Sequence, residues 1–235
     1  MNRFSLFHVF LMGALSVGFA QQPTATPPQM GTIAEQRSAD AIWGDLMEGN
    51  QRFISGKTNI VELAPLRQTL ATKQSPKVVV LACSDSRVSP ELIFDKSLGD
   101  LFVVRSAGNI ADAIGIGSIE YAIEHLGSSV LVVLGHTECG AVKAACSGEK
   151  MPTANLQAVI DKIRPAVTRA KVHSDSDALT EAAIRENVRQ SASDVIASSD
   201  VLRQAVQHGH LTVFEAVYDL RSGKVVRLEA ASDRN

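Results

Sequence analysis

The stretch that decides the fold is Val130-Leu131-Val132-Val133-Leu134, five apolar residues in a row. A similar run spans 78–81, and a third spans 101–104 between the two. Unbroken apolar runs rich in β-branched residues are typical of strands that are buried on both faces of a parallel sheet. The three runs therefore predict the centre of such a sheet.

Helical patterns separate and follow these runs. Apolar residues recur at helical spacing over 38–54, and further helices are predicted near 117–125, 156–171 and 178–197. A late strand is predicted over 212–218, and a turn at 221–224 leads into a final edge strand. We expect one α/β domain over 38–235, with a mostly parallel central sheet flanked by helices and an N-terminal helical arm.

Composition limits the classes of partner. The chain has 235 residues, of which 45% are hydrophobic and 5% aromatic, which suits a globular domain with one sizeable core. The formal net charge of -2 leaves no basic excess that would attract nucleic acid or an anionic membrane. We therefore expect a small-molecule substrate and no nucleic-acid partner.

The first twenty residues have the pattern of a secretory signal peptide. Arg3 precedes a nearly all-apolar run over 4–19, and Gly18 and Ala20 are small residues at the positions that a signal peptidase reads. The run is shorter than the ~20 residues that cross a bilayer, so no stable membrane anchor is expected after cleavage. Residues 21–37 contain three prolines and predict a flexible linker. The protein is thus expected to be exported, to a periplasm or out of the cell.

Polar clusters follow two of the predicted strands, at 82–88 and at 135–142. The carboxyl ends of parallel strands meet at one edge of a sheet, where functional groups gather. His136 and Cys139 offer two metal ligands from one turn, and Cys83 offers a third from the neighbouring strand end. Asp85 could fill the fourth position or leave it open. A set of three ligands indicates a catalytic zinc site rather than a structural one.

The third cysteine does not extend this set. Cys146 lies seven residues after Cys139 in a predicted helix, and we predict a buried, inert thiol there. An odd number of cysteines beside a histidine also favours metal binding over disulfide bonds.

These motifs resemble a known family. Cys83-Ser84-Asp85-Ser86-Arg87-Val88, together with Gly135-His136 and Cys139-Gly140-Ala141-Val142, resembles the β-class carbonic anhydrases. The resemblance continues through 100–109 and 119–127 and covers the chain from about residue 41 to the final strand. It implies the β-carbonic anhydrase fold, one Zn²⁺ per subunit on Cys83, His136 and Cys139, and the reversible hydration of CO2 to bicarbonate and a proton.

Two alternatives stay open at this point. One is a zinc hydrolase of the same fold that acts on carbon disulfide or a similar small molecule. The other is a zinc-binding protein without catalysis, for which the loss of Asp85 or Arg87 would be the mark. Both residues are present.

The resemblance assigns Asp85 and Arg87 to a catalytic dyad beside the metal. Zinc would lower the pKa of its bound water towards ~7 and so produce a hydroxide that attacks CO2. Asp85 would orient this hydroxide by accepting its hydrogen bond, while Arg87 would hold Asp85 ionised. Asp85 would also replace the water as fourth ligand in a closed state at lower pH. Two thiolates and a neutral histidine cancel the charge of the ion, so its bound water should be less acidic than on a zinc held by three neutral histidines. We therefore expect activity to rise towards alkaline pH.

The resemblance also implies residues that contact substrate. Gln74 would donate a hydrogen bond to it, and Phe102, Ala107 and Tyr121 would line the apolar side of the CO2 pocket, partly across a dimer interface. Gly140 would let the backbone approach the metal closely.

Proton export and assembly complete these expectations. Tyr121 and His125, four residues apart on a predicted helix, share one face and are candidates for proton export. Val80 stands where a bicarbonate-inhibited subgroup has Trp, and Gln74 stands where one subgroup of the family keeps a Gln. Together the two positions favour the plant-like subgroup. We expect a homodimer or a dimer-based higher oligomer, with the helix over 38–54 as the arm that wraps a partner subunit.

Overall fold

Five strands form one sheet in the order β2-β1-β3-β4-β5. The structure is a computed structural model that describes residues 38–175 and 177–229, and the predicted signal peptide and linker lie outside these residues. The strands are β1 (Val78–Cys83), β2 (Leu101–Ser106), β3 (Val130–His136), β4 (Thr212–Tyr218) and β5 (Val225–Arg227). The first four run parallel and β5 is antiparallel to β4. The predicted α/β class with a mostly parallel sheet is confirmed.

Eight α-helices lie within the described residues. They are α1 (Ala39–Ile54), α2 (Leu63–Leu70), α3 (Pro90–Ile93), α4 (Ala113–Leu126), α5 (Gly140–Ser147), α6 (Ala154–His173), α7 (Leu179–Ala197) and α8 (Asp200–Gln207). The four predicted helices correspond to α1, α4, α6 and α7. Helix α4 begins four residues earlier than predicted because the Asp112 side chain accepts hydrogen bonds from the backbone N–H groups of Ile114 and Gly115.

Alternate side chains of the buried strands pack into two separate hydrophobic cores, one on each face of the sheet. Val79 and Leu81 of β1 belong to the core that includes side chains of helices α4 to α8. Val78 and Val80 belong to the core on the other face, beneath α1 and α3. All four side chains are buried, as the unbroken apolar run predicts for a strand with helices on both faces.

Helix α1 is fixed to the sheet of its own chain. The Asn50 side-chain amide donates to the carbonyls of Ile93 (3.1 Å) and Gly223 (2.9 Å) and accepts from the N–H of Val225 (3.0 Å). The Trp43 ring lies 4.9 Å from the Phe214 ring, centroid to centroid. These contacts join α1 to the last strand of its own domain, while its predicted contact with a partner subunit stays a prediction.

Helix α7 crosses close to the end of β3. A Cβ atom at Gly135 would lie 2.5 Å from Cγ2 of Val188, so glycine is what permits this approach. The close crossing brings α7 against the carboxyl end of β3, where His136 follows Gly135. No helix within 38–175 and 177–229 combines the length and the apolar character that a membrane span requires.

Candidate metal centre

Three potential ligands meet where the central strands end. Cys83 is the last residue of β1, His136 is the last residue of β3, and Cys139 is the residue immediately before α5. Strands β1 and β3 are parallel neighbours, which brings their carboxyl ends together. The Sγ atoms of the two cysteines and a ring nitrogen of His136 lie within 4.8 Å of one another, and all three residues are buried. This geometry could hold one metal ion.

The tautomer of His136 follows from its backbone contact. Its Nδ1 lies 2.9 Å from the carbonyl oxygen of Thr137, and a carbonyl can only accept, so Nδ1 carries the proton. The other nitrogen, Nε2, is buried and has no hydrogen-bond partner among the described residues. A buried nitrogen lone pair without a partner is costly in free energy. A metal ion would satisfy it, so the residues present fit a zinc site.

The two cysteine side chains shift the pKa values of one another in opposite directions. The hydrogen bond from Cys139 lowers the pKa of the Cys83 thiol to about 4, although burial opposes the shift. The same contact raises the pKa of Cys139 above its usual range, and burial adds to that effect. Two close, buried sulfur atoms of this kind would both ionise on a divalent cation, since zinc binds thiolates.

Asp85 and Arg87 form a bidentate pair beside this cluster. Arg87 donates from Nε to Oδ1 of Asp85 (2.9 Å) and from Nη2 to Oδ2 (2.7 Å), and its backbone N–H also donates to Oδ1 (3.0 Å). These bonds from Arg87 hold the pKa of the Asp85 carboxyl well below its usual range. Oδ2 of Asp85 lies 3.9 Å from the unpartnered Nε2 of His136. The carboxylate is therefore ionised, oriented and next to the potential ligands.

Arg105 supports the same loop and had no role in the sequence analysis. Its guanidinium donates from Nε to the carbonyl of Cys83 (3.0 Å) and from Nη2 to the carbonyl of Asp85 (2.7 Å). Arg105 is paired with Ala82 in the register of β1 and β2, one residue before Cys83. A charged residue at the end of an otherwise apolar strand is the sequence signal that could have identified it.

Ala107 and Gly140 adjoin the cluster along the chain. Ala107 directly precedes Gly108, whose backbone N–H donates to Sγ of Cys83 (3.2 Å). Gly140 follows Cys139 as the first residue of α5, and a Cβ atom there would meet open space. The packing of this chain therefore does not itself require glycine at 140. Cys146 is only half-buried, contrary to the expected full burial, and the burial that it has raises the pKa of its thiol.

Four other predicted site residues lie together, but away from this cluster. The Tyr121 ring lies 6.4 Å from the Phe102 ring and 5.2 Å from the His125 ring, centroid to centroid. Gln74, Tyr121 and His125 line one cavity of about 760 Å³. In the register of the sheet Phe102 is paired with Val79, four residues before the Cys83 pair, which corresponds to ~13 Å along a strand. The structure thus joins these residues to one another and not to the metal ligands of the same chain.

Comparison with known proteins identifies the family of the chain. The family model described as carbonic anhydrase matches residues 78–225. Carbonic anhydrase 2 of Mycobacterium tuberculosis is 35% identical over 190 residues, covering 79% of this chain and 91% of that protein. The carbonic anhydrase of Pseudomonas aeruginosa is 36% identical over 200 residues, covering 81% of this chain and 89% of that protein.

A solved structure agrees as well. The β-carbonic anhydrase of Coccomyxa, solved in complex with acetazolamide, superimposes with a TM-score of 0.62 at 28% identity, covering 81% of this chain and 83% of that chain. The superposition therefore covers most of both chains at the level of the fold. The chain therefore belongs to the β-class carbonic anhydrase family.

Proposed function

We propose that this chain catalyses the zinc-dependent, reversible hydration of carbon dioxide to bicarbonate and a proton. The observation that carries the proposal is the Asp85 carboxylate, which Arg87 clamps at both oxygens and which lies 3.9 Å from Nε2 of His136. A metal site that serves only structure has no need of an oriented carboxylate at its edge. A hydration enzyme needs one to direct the attacking water.

Cys83, His136 and Cys139 would hold the ion, one per subunit. Two cysteines and one histidine form a ligand set that catalytic zinc sites use with one position left for water or substrate. When bound, zinc lowers the pKa of a water molecule in that position towards ~7 and so supplies a nucleophile near neutral pH. The proton on Nδ1 of His136 is held by the Thr137 carbonyl, which keeps Nε2 free to act as the ligand.

Asp85 would control the orientation of the reacting water. Because the carboxylate is ionised, it can only accept hydrogen bonds, and it therefore fixes where the proton of that water points. The remaining lone pair is then directed at the carbon of CO2. Arg87 prevents the carboxylate from rotating, since its two parallel bonds fix both oxygens. Without those bonds Asp85 would be free to take the fourth ligand position in a closed, inactive state.

The substrate pocket would take residues from two places. Ala107 and Gly140 adjoin the metal ligands of their own chain, so we propose that they form the near wall of the CO2 pocket. We propose that Gln74, Phe102 and Tyr121 serve the site of a partner subunit, because within one chain they lie away from the cluster. Tyr121 and His125, with rings 5.2 Å apart, remain the candidates for proton export.

The direct test is stopped-flow hydration of CO2 by the zinc-loaded protein. We expect Cys83→Ser to lose both zinc and activity, because it removes a ligand. Asp85→Asn should keep its zinc and lose activity on the order of 10²-fold or more, since it removes the acceptor that positions the proton. Cys146→Ser is the matched control, a cysteine outside the cluster, and should change neither zinc content nor rate.

Three results would redirect the proposal. Zinc binding with hydrolysis of carbon disulfide in place of CO2 hydration would indicate the hydrolase alternative. Zinc binding with neither activity would indicate a non-catalytic zinc protein. Strong inhibition by bicarbonate at constant pH would contradict the plant-like subgroup that Gln74 and Val80 favour.

We also propose that the protein is exported after cleavage following Ala20, on the strength of the apolar run over 4–19. The N-terminal residue of the protein recovered from its producing cells is the measurement. We expect the exported protein to begin at Gln21. Exported protein that still begins at Met1 would contradict cleavage after Ala20.

A further inference from the structure

We infer that Asn187 is a positioning residue for the metal, acting through the backbone of Gly108 on the sulfur of Cys83. The inference rests on the metal site of the proposed function and adds to it a residue on α7. Neither the ligand spacing nor the catalytic dyad involves this residue.

The first contact is a hydrogen bond to the proposed metal ligand Cys83. The backbone N–H of Gly108 donates to Sγ of Cys83 at 3.2 Å, in a buried environment. A hydrogen bond to a thiolate stabilises the negative charge on sulfur and fixes the direction of its remaining lone pairs. Groups that contact a metal ligand in this way orient it and adjust its affinity for the metal.

Gly108 has no side chain that could hold its backbone N–H in place beside Cys83. Its φ of 75° lies in the left-handed region, which favours glycine. A Cβ atom there would lie 2.7 Å from Cδ1 of Ile163 on α6, so the space for a side chain is already occupied. The orientation of its N–H must therefore be fixed by contacts from other elements.

Asn187 supplies such a contact. Its side-chain Nδ2 donates to the carbonyl of Gly108 at 2.8 Å, across 79 positions of sequence. Asn187 is fully buried, so the bond does not compete with water. With the carbonyl of Gly108 held by α7 and its N–H directed at Cys83, one residue links the helix to the metal ligand.

The burial of an amide here argues against a role in packing alone. Oδ1 of Asn187 has no hydrogen-bond partner among the described residues, and a buried acceptor without a partner reduces stability. A leucine of similar size would fill the same space without that cost. The bond from Nδ2 to Gly108 is the interaction that only the amide provides.

Zinc release tests the inference without relying on catalysis. The zinc-loaded protein is mixed with an excess of a chromophoric chelator, and the release rate is measured for the wild type, for Asn187→Leu and for Val195→Ala. Val195 is also fully buried on α7, two turns further along, and controls for lost stability. Each protein is measured at the same interval below its own Tm.

We expect Asn187→Leu to release zinc at least ~10-fold faster than the wild type, the lower end of the effect of losing such a supporting contact. Val195→Ala should release zinc at the wild-type rate. Release from Asn187→Leu no faster than from Val195→Ala would overturn the inference and leave the proposed hydration intact. A wild-type protein that cannot be loaded with zinc would overturn the proposed function itself, and this inference with it.

A second variant covers the case in which Asn187→Leu does not fold. Gly108→Ala leaves Asn187 in place but puts a Cβ atom 2.7 Å from Cδ1 of Ile163, on a backbone whose φ of 75° disfavours alanine. We expect residue 108 to shift and its N–H to move away from Cys83. The variant should also release zinc faster. Wild-type release from folded Gly108→Ala would contradict the role of the Gly108 N–H and overturn the inference.

Discussion

The carboxylate of Asp85 accepts three hydrogen bonds from Arg87, two from the guanidinium and one from the backbone N–H. The side chain of Asp85 is 16% exposed and that of Arg87 is 56% exposed, so the carboxylate is sheltered while its clamp reaches solvent. The pKa of Asp85 is lowered chiefly by the side chain of Arg87. Charge and orientation thus have the same source, and a variant at 87 can separate them.

We predict that Arg87→Lys lowers kcat for CO2 hydration by about 10- to 100-fold, because a single ammonium cannot hold both oxygens of Asp85 and small misplacements are costly. Loss of the fork raises the pKa of Asp85 from its lowered value towards the ordinary 3.8, so the group stays ionised above pH 6. The wild-type rate should therefore exceed the variant rate throughout pH 6 to 9 in stopped-flow assays. Their ratio should grow towards pH 6, where the less tightly held carboxylate competes with water for the fourth ligand position, while both rates rise with pH.

Arg164→Lys is the control for this prediction. Arg164 forms an exposed ion pair with Asp161 (2.8 Å) on α6, distant in sequence from the loop, and its replacement should leave the rate unchanged. If the loss in Arg87→Lys disappears at high pH, then Arg87 acts on ionisation or on the closed state rather than on orientation.

The sequence predicted those site residues that sit beside recognisable strand ends. Cys83, Asp85, His136 and Cys139 each follow an apolar run within a few positions, so local pattern was enough to place them on one edge of the sheet. Asn187 has no such signal, because a polar residue in a long amphipathic helix is ordinarily exposed. Its partner Gly108 is 79 positions away in the segment that follows β2, and only the tertiary packing of α7 against that segment brings them together.

At the scale of elements, length decided which helices the sequence could predict. The predicted helices α1, α4, α6 and α7 have 14 to 20 residues and repeat their apolar pattern several times. Helix α2 has eight residues, buries none of them and has no capping bond from Glu62, so it has no pattern to detect. Helix α8 is equally short, but the side chain of Ser199 accepts a hydrogen bond from the N–H of Leu202. A serine at that position is a capping signal in the sequence, so α8 could have been predicted although it was not.

The crossing of α7 over β3 yields a prediction about stability. Gly135→Ala should lower the free energy of unfolding by about 1–3 kcal/mol, the usual cost of overpacking, because the new Cβ would lie 2.5 Å from Cγ2 of Val188. In the background of Val188→Ala the same substitution should cost much less, since the opposing methyl group is gone. Urea unfolding of the four proteins of this cycle measures the coupling.

Gly117→Ala on α4 is the matched control for that cycle. A Cβ atom at Gly117 would meet open space, and alanine is the better helix former, so the variant should be neutral or more stable by up to ~1 kcal/mol. Equal costs of Gly135→Ala in both backgrounds would show that Val188 is not what limits the approach of α7.

At the scale of the whole molecule, five large apolar side chains are exposed in one region of the surface. The exposed side chains there lie on α2, on α3 and in the segments that flank them, and they are Ile60, Val61, Leu63, Leu92 and Leu98. A cavity of about 850 Å³ is lined by all of these except Ile60. Charged residues line the same cavity, among them Arg52, Glu91 and Asp95. Exposed apolar side chains grouped beside charged ones are typical of a protein contact site, and we propose that a second copy of the chain covers them. The sequence offered a family expectation of a dimer but no means of locating this surface.

The proposed dimer also explains why the predicted site is divided within one chain. Gln74 precedes the amino end of β1, whereas Cys83 is at its carboxyl end, five residues or ~17 Å after Val78. If Gln74 serves the partner's metal site, two different inactive subunits can restore one another. Cys83→Ser removes the metal from its own site, and Gln74→Leu removes a donor from the partner's site.

We predict that co-expressed Cys83→Ser and Gln74→Leu subunits recover activity that neither has alone. In a mixed dimer the Gln74→Leu subunit keeps its metal ligands and receives Gln74 from the other subunit, so one of the two sites is complete. Random 1:1 pairing should then give about a quarter of the wild-type CO2 hydration activity in stopped-flow assays. Cys83→Ser mixed with Asp85→Asn is the control, and it should recover nothing because both changes act on the site of their own chain. Activity of the first mixture no higher than the mean of its two parents would show that each subunit uses its own Gln74.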